Sequence, residues 1–172
     1  MQNSSIILRP INKSDFSSLD QHFGATSVYK KPLKLWDQYL SEQQNKIRAV
    51  RVVTLNNQVI GFGTLKFDSA YPYFKSKNIP EINDVLIAPE FRNKGYARAL
   101  IKSLEEIAKQ KKYIKVGIAV GLYKDYGPAQ RLYIKMDYIP DCNGITYNNE
   151  YVIPGSTYPV DDDLLLWMSK EL

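Results

Sequence analysis

Apolar positions along the chain recur with a period of two in some stretches and near 3.6 in others, so strands and helices alternate. Residues 5–10 read as a first strand. Asn12 or Ser14 then suits the cap of a helix in which Phe16, Leu19 and Phe23 share a side. Residues 24–31 form a loop, and Pro32 fits the first turn of a second helix with Leu33, Trp36, Tyr39 and Leu40 toward one side. Residues 47–55 and 58–67 read as a hairpin. Asn56-Asn57 suits the positive φ angles of its turn. Residues 68–80 read as a loop carrying Tyr71, Tyr73 and Phe74. An apolar run at Ile82, Val85, Leu86 and Ile87 makes a buried strand, which Pro89 ends because proline lacks a donor for the ladder. Beyond a turn at Arg92-Asn93-Lys94-Gly95-Tyr96-Ala97, the residues Ala97, Leu100, Ile101, Leu104, Ile107 and Ala108 lie on one helix face. Ile114, Val116, Ile118 and Val120 alternate with smaller or polar residues as a further strand. Pro128 opens a helix with Ala129, Leu132, Tyr133 and Met136 on one side, and residues 164–169 read as the last strand. Residues 140–163 hold Gly144, Pro154, Gly155 and Pro159 and read as a long connection. Connections of that length tend to be functional, so residues 143–163 are expected to border an acceptor pocket or a dimer contact.

Composition narrows the picture. The 172 residues suit a single domain, expected to span 1–172. One cysteine, Cys142, excludes an internal disulfide framework, and one histidine, His22, makes a Cys/His metal cluster or a Ser-His-Asp triad hard to build. The longest late apolar run, at residues 164–168, is too short to cross a membrane. No long apolar signal segment opens the chain, so a cytoplasmic protein with neither metal nor membrane partner is expected. The formal charge of +5 favours acidic ligands. It permits nucleic acid too, but no nucleic-acid motif accompanies it, and the lysines at 109, 111 and 112 are explained by the end of a helix dipole.

The turn at residues 92–97 carries the chemistry. A helix start has N–H groups without partners and partial positive charge. Gly95 lets the backbone approach a ligand, and Arg92 and Lys94 add charge. Such a turn binds a phosphate or pyrophosphate.

At these residues the chain resembles the GNAT superfamily of acetyl-CoA-dependent N-acetyltransferases. Ile87-x-Pro89-x-x-Arg92-x-x-Gly95-x-Ala97 is similar to that family's acetyl-CoA motif, V-x-P-x-x-R/Q-x-x-G-x-G/A. A second stretch, YGPAQRLYIKMDYIP, resembles the family's N-x-x-A-x-x-L/F-Y-x-x-x-G-F/Y at Ala129, Leu132, Tyr133 and Tyr138. Tyr126 stands in place of its asparagine and Asp137 in place of its glycine. The resemblance implies an α/β (α+β) fold with a mixed, mostly antiparallel sheet of about seven strands, flanked by helices and splayed at the cofactor strand. It also implies acetyl-CoA as co-substrate, with Leu86, Ile87, Arg92, Asn93, Lys94, Gly95, Tyr96 and Ala97 as cofactor-binding residues. A small-molecule or peptide amine is the implied acceptor, drawn from aminoglycosides, polyamines, amino acids, or protein N-termini and lysines. The early helices of such folds often line the acceptor side, so Tyr29, Trp36 and Tyr39 are either acceptor contacts or core.

The implied reaction is direct attack of the amine on the acetyl group in a ternary complex. Tyr133 matches the family tyrosine near the cofactor sulfur, where a phenol can protonate a leaving thiolate. The base is Glu81, Asp84 or a water, with Glu81 at the end nearer the expected acceptor. Alternation puts Glu81, Asn83, Val85 and Ile87 on one strand face and Asp84 with Leu86 on the other. The departures at Tyr126 and Asp137 leave open a second reading, a catalytically weak acetyl-CoA sensor of the same fold.

Overall fold

A computed structural model describes residues 6–172 of the chain. Its strands are β1 (Ile7–Pro10), β2 (Arg48–Leu55), β3 (Gln58–Lys66), β4 (Glu81–Ile87), β5 (Lys115–Gly121), β6 (Ile139–Tyr147), β7 (Glu150–Tyr151) and β8 (Leu164–Glu171). They form one open sheet of order β1-β2-β3-β4-β5-β8-β6-β7. The pairs β1–β2, β2–β3, β5–β8, β6–β8 and β6–β7 are antiparallel, and β4–β5 is parallel. The helices are α1 (Phe16–Phe23), α2 (Lys34–Gln44), α3 (Pro72–Ser76), α4 (Tyr96–Gln110) and α5 (Gly127–Ile134). The mixed, mostly antiparallel sheet with flanking helices is the expected class, with eight strands in place of about seven.

The chain divides into two compact units, one formed by the described chain up to Lys66 with residues 83–107, the other by residues 67–82 and 108–172. β4 passes from the second into the first.

In the first unit the β2–β3 hairpin turns on Asn56 and Asn57 at φ 50° and 65°, the left-handed region that asparagine tolerates well. Val50, Val52 and Phe62 pack with Leu19 and Phe23 of α1 and with Trp36 and Tyr39 of α2, all buried. Val53 and Ile60 pack instead with Leu100 of α4. Gly63 lets that helix close on the sheet, since a Cβ there would lie 3.1 Å from Leu100. Trp36 and Tyr39 are therefore core, the second of the two roles open to them. Pro32 precedes its helix rather than entering it, with Leu33 as the N-cap.

The second unit departs from the sequence reading in two places. Residues 68–80 are not a plain loop. Pro72 starts α3, and Tyr71 and Phe74 are fully buried against Trp167. Residues 140–163 are not an unstructured connection either, because β6 and β7 form a hairpin there. The strand hid because its register slips: Pro140 pairs with Met168 and Ile145 with Leu166, so residues 141–144 bulge opposite one partner position. Cys142 and Gly144 take φ 68° and 80° in that bulge, which destroys the period-two pattern.

The end of α5 explains one departure from the family motif. The Asp137 N–H donates to Ile134 O at 3.1 Å and the Tyr138 N–H to Tyr133 O at 3.1 Å. This is a Schellman closure, with Asp137 at φ 69° where glycine is usual. Aspartate tolerates that conformation better than most residues, so the helix closes normally.

Candidate active site

Pro89 opens a short 3-10 turn, Pro89–Phe91, and the chain then reverses through Asn93 at φ 61° and Gly95 at φ 83°. α4 starts at Tyr96, and the Ala99 N–H donates to Gly95 O at 3.1 Å. The N–H groups just inside the helix have no intrahelical acceptor. Residues 92–95 are exposed, and a Cβ on Gly95 would meet nothing within 4 Å. The first turn of a fifteen-residue helix thus opens to solvent beside Lys94 and Arg92, a geometry that receives an anion. Asn93, Lys94, Gly95, Tyr96 and Ala97 all lie in this turn, as the motif implied.

Arg92 differs from the expectation. Its Nε donates to Ile87 O at 3.1 Å, and its guanidinium donates to the Tyr29 hydroxyl while lying 5.9 Å from that ring's centroid. Its charge stays near the turn, but its donors brace the end of β4.

Leu86 and Ile87 run close beside β3. A Cβ on Gly61 would lie 2.8 Å from Leu86 O and 2.4 Å from Ile87 Cδ1, so only glycine fits there. The Ala88 N–H donates to Ile60 O at 2.9 Å.

Asp84 breaks the alternation read from the sequence, because it sits at φ 51° within β4. Its carboxylate accepts from Lys31 Nζ at 2.7 Å and from the Tyr39 hydroxyl. Burial and then the charge of Asp84 hold the Tyr39 phenol well above its ordinary range. Beside it, Asn83 accepts from Arg48 at 3.1 Å and from Thr64. Neither Lys31 nor this network was foreseen. The signal for the kink was the Asn83-Asp84 pair inside an apolar strand, since both residue types tolerate positive φ.

In the second unit, β4 begins with the parallel pairs Glu81↔Gly117 and Ile82↔Ile118. Glu81 is not a solvated strand-end charge. It is 8% exposed and accepts from Ser69 Oγ at 2.6 Å, while the Tyr71 N–H donates to the same Ser69 oxygen at 3.1 Å. Tyr133 is 7% exposed, with its ring 6.1 Å from that of Tyr138. Burial pushes this phenol up to about 12, so it stays protonated at neutral pH.

The remaining motif departure, Tyr126, packs on β5. A Cβ on Gly121 would lie 2.4 Å from its ring, and its hydroxyl donates to Asp162 at 3.0 Å. On α5, Gln130 Nε2 donates to Gly121 O of β5 at 2.8 Å. Gly117 and Gly121 of β5 are thus covered by the aromatic rings of Phe74 and Tyr126. Tyr123 also donates to Asp162, and Tyr147 donates to Asp161 at 3.1 Å, so two carboxylates of the acidic run 161–163 serve tyrosines.

Among the described residues no group of three or more His, Cys, Asp or Glu side chains could hold a metal ion. None of the described helices is long and apolar enough to cross a membrane.

Residues 13–138 match the model of the "Acetyltransferase (GNAT) family". No curated protein is similar enough in sequence to count as a match. Among solved structures, an N-acetyltransferase from Staphylococcus aureus Mu50 superposes with TM-score 0.73 at 19% identity, covering 98% of this chain and 99% of that one. PaiA N-acetyltransferase from Thermoplasma acidophilum, in complex with coenzyme A, gives TM-score 0.69 at 16% identity, covering 98% and 99%. A spermidine N-acetyltransferase SpeG chimera, from Vibrio cholerae and hSSAT, gives 0.69 at 19%, covering 98% and 96%. These structures share the fold, and the family model spans most of the chain. The protein belongs to the GNAT family of acetyltransferases.

Proposed function

We propose that the protein is a single N-acetyltransferase domain that moves an acetyl group from acetyl-CoA to a primary amine of a small molecule or peptide. The observation that carries this reading is the turn at Gly95, open to an anion at the start of α4. A pyrophosphate suits it, and the similar PaiA structure is a complex with coenzyme A. Acetyl-CoA supplies the activated acetyl group. Asn93, Lys94, Gly95, Tyr96 and Ala97 bind its phosphates through backbone N–H groups and charge, with Arg92 adding charge from its braced position. Leu86 and Ile87 offer backbone groups to the pantetheine amides and to the carbonyl on which negative charge develops.

Glu81 takes the proton from the acceptor ammonium, directly or through water. Its burial beside the Ser69 hydroxyl supports that role over a surface charge. Tyr133 donates to the departing thiolate. A buried side chain whose phenol stays protonated supports this assignment. A thiolate formed beside it would be desolvated too, which raises its own affinity for the proton. Positioning of two reactants supplies much of the remaining rate. Amines acetylated by similar structures include spermidine, by the name of the SpeG chimera, which supports an amine acceptor here. We place the enzyme in the cytoplasm.

A thiol-release screen with acetyl-CoA against an amine library tests the reading. At least one amine should accelerate release well above hydrolysis. Tight acetyl-CoA binding with no amine turned over would favour a sensor instead.

A further inference from the structure

β4 is bent at one residue, and that residue is held from outside the strand. Asp84 takes φ 51° between extended neighbours. Both carboxylate oxygens are used: Oδ1 accepts from Lys31 Nζ at 2.7 Å and Oδ2 from the Tyr39 hydroxyl. Tyr39 is itself fixed. It is 3% exposed in the core, and the Arg48 guanidinium lies 4.6 Å from its ring centroid. Arg48 is locked in turn by Glu42 at 2.5 Å and by Thr64 at 2.8 Å.

A second fastening lies a few residues on. Arg92 holds Ile87 O and the Tyr29 hydroxyl. Tyr29 and Lys31 belong to the same segment before α2. That segment is anchored to α1, because the Lys31 N–H donates to Phe23 O at 2.9 Å and the Phe23 and Tyr29 rings are 5.3 Å apart. Residues 29–31 are therefore a brace, tied at Asp84 and at Arg92. Between the ties lie Val85, Leu86 and Ile87.

We propose that Asp84 is a positioning residue. Tethered by Tyr39 and Lys31, it fixes the bend that presents the backbone of residues 85–87 to the pantetheine arm of acetyl-CoA. This rests on the cofactor reading above. Asp84 removes no proton in this account, since its carboxylate is committed to two donors. A left-handed residue inside a strand persists where its surroundings over-determine it, and the tether supplies that constraint. Without it, residues 85–87 sample more conformations, and cofactor binding must order them.

The test uses calorimetric titration of the full chain with acetyl-CoA and with adenosine diphosphate, which carries the pyrophosphate but no pantetheine. Asp84→Gly suits φ 51° better than aspartate and removes only the tether. It should weaken acetyl-CoA roughly ten-fold, the effect of losing a charge-assisted hydrogen bond, and leave adenosine diphosphate unchanged. Asp84→Asn, which keeps an acceptor for Tyr39, should recover most of that loss. Tyr39→Phe should weaken acetyl-CoA alone, in the same direction, from a residue outside the strand. Wild-type acetyl-CoA binding in Asp84→Gly overturns the inference, because the bend then needs only backbone freedom. Equal weakening of both ligands also overturns it, since the damage is then general. If the wild-type chain binds neither ligand, the cofactor reading itself falls.

Discussion

Phe74 fills the space that a side chain on Gly117 would need: a Cβ built there would lie 1.9 Å from the ring. The ring is also edge-on to Trp167, with centroids 5.2 Å apart, and is fully buried. Gly117→Ala should therefore force the ring to move in a packed core. Overpacking of this kind costs about 1–3 kcal/mol, measurable as a lower denaturation midpoint at unchanged slope. A midpoint at or above wild type would show that α3 yields freely.

Gly95→Asp probes the opposite situation. A Cβ there meets no protein atom within 4 Å, so the fold should survive with a loss of about 1 kcal/mol for a side chain at positive φ. Acetyl-CoA should raise the melting temperature of wild type, because a ligand selective for the folded state stabilises it by about 2.7 kcal/mol at a hundred times its Kd. The variant should lose most of that shift at equal ligand concentration. An undiminished shift would put the phosphates elsewhere.

For Tyr133 the expected signature is kinetic. Tyr133→Phe removes one oxygen and keeps the buried ring, so packing should hold. kcat and kcat/KM should fall together by about 100-fold, with acetyl-CoA affinity nearly unchanged. Stability supplies an independent check. The folded phenol sits at about 12, above the unfolded value of about 10. A raised value means that its contribution is complete below pH 10 and is lost as pH rises toward 12. Wild type should lose melting temperature relative to the Phe variant across that window, with the difference between the two flat below it. Full activity in the variant, with chemistry rate-limiting, would sink the assignment.

Glu81→Gln keeps the shape and an acceptor for Ser69 but cannot take a proton. The rate with a saturating amine should drop about 100-fold near neutral pH and recover in part as pH rises and more amine is free. Unchanged rates across the range would pass the role to water alone.

Asp137→Gly should stabilise the protein. The residue closes α5 at φ 69°, and glycine adopts that conformation without the Cβ clash. A gain of about 0.5–1 kcal/mol is expected in chemical denaturation, with turnover unchanged. Destabilisation would mean that the aspartate side chain contributes more than its backbone strain costs.

What the sequence determined by itself was local and periodic. The apolar face of α4, with Leu100, Ile101, Leu104 and Ala108 buried, could be read from spacing, as could the Asn56-Asn57 hairpin and the proline that ends β4. The Gly95 turn was legible because its chemistry is local too: one glycine, two cations and a helix start are consecutive. Tertiary structure alone decided the rest. β6 escaped because a bulge erases the two-residue period on which strand recognition depends. Tyr71 and Phe74 looked like loop aromatics because burial against Trp167, nearly a hundred residues on, has no local signature. Asp84 looked like a strand carboxylate and a candidate base, yet its two donors come from Lys31 and Tyr39, about fifty residues earlier. Arg92 reads as a charge beside the turn, and its contacts with Ile87 O and Tyr29 have no local signature. Side-chain charge can be read from a sequence; the partner that uses it is set by which elements the fold brings within about 3 Å.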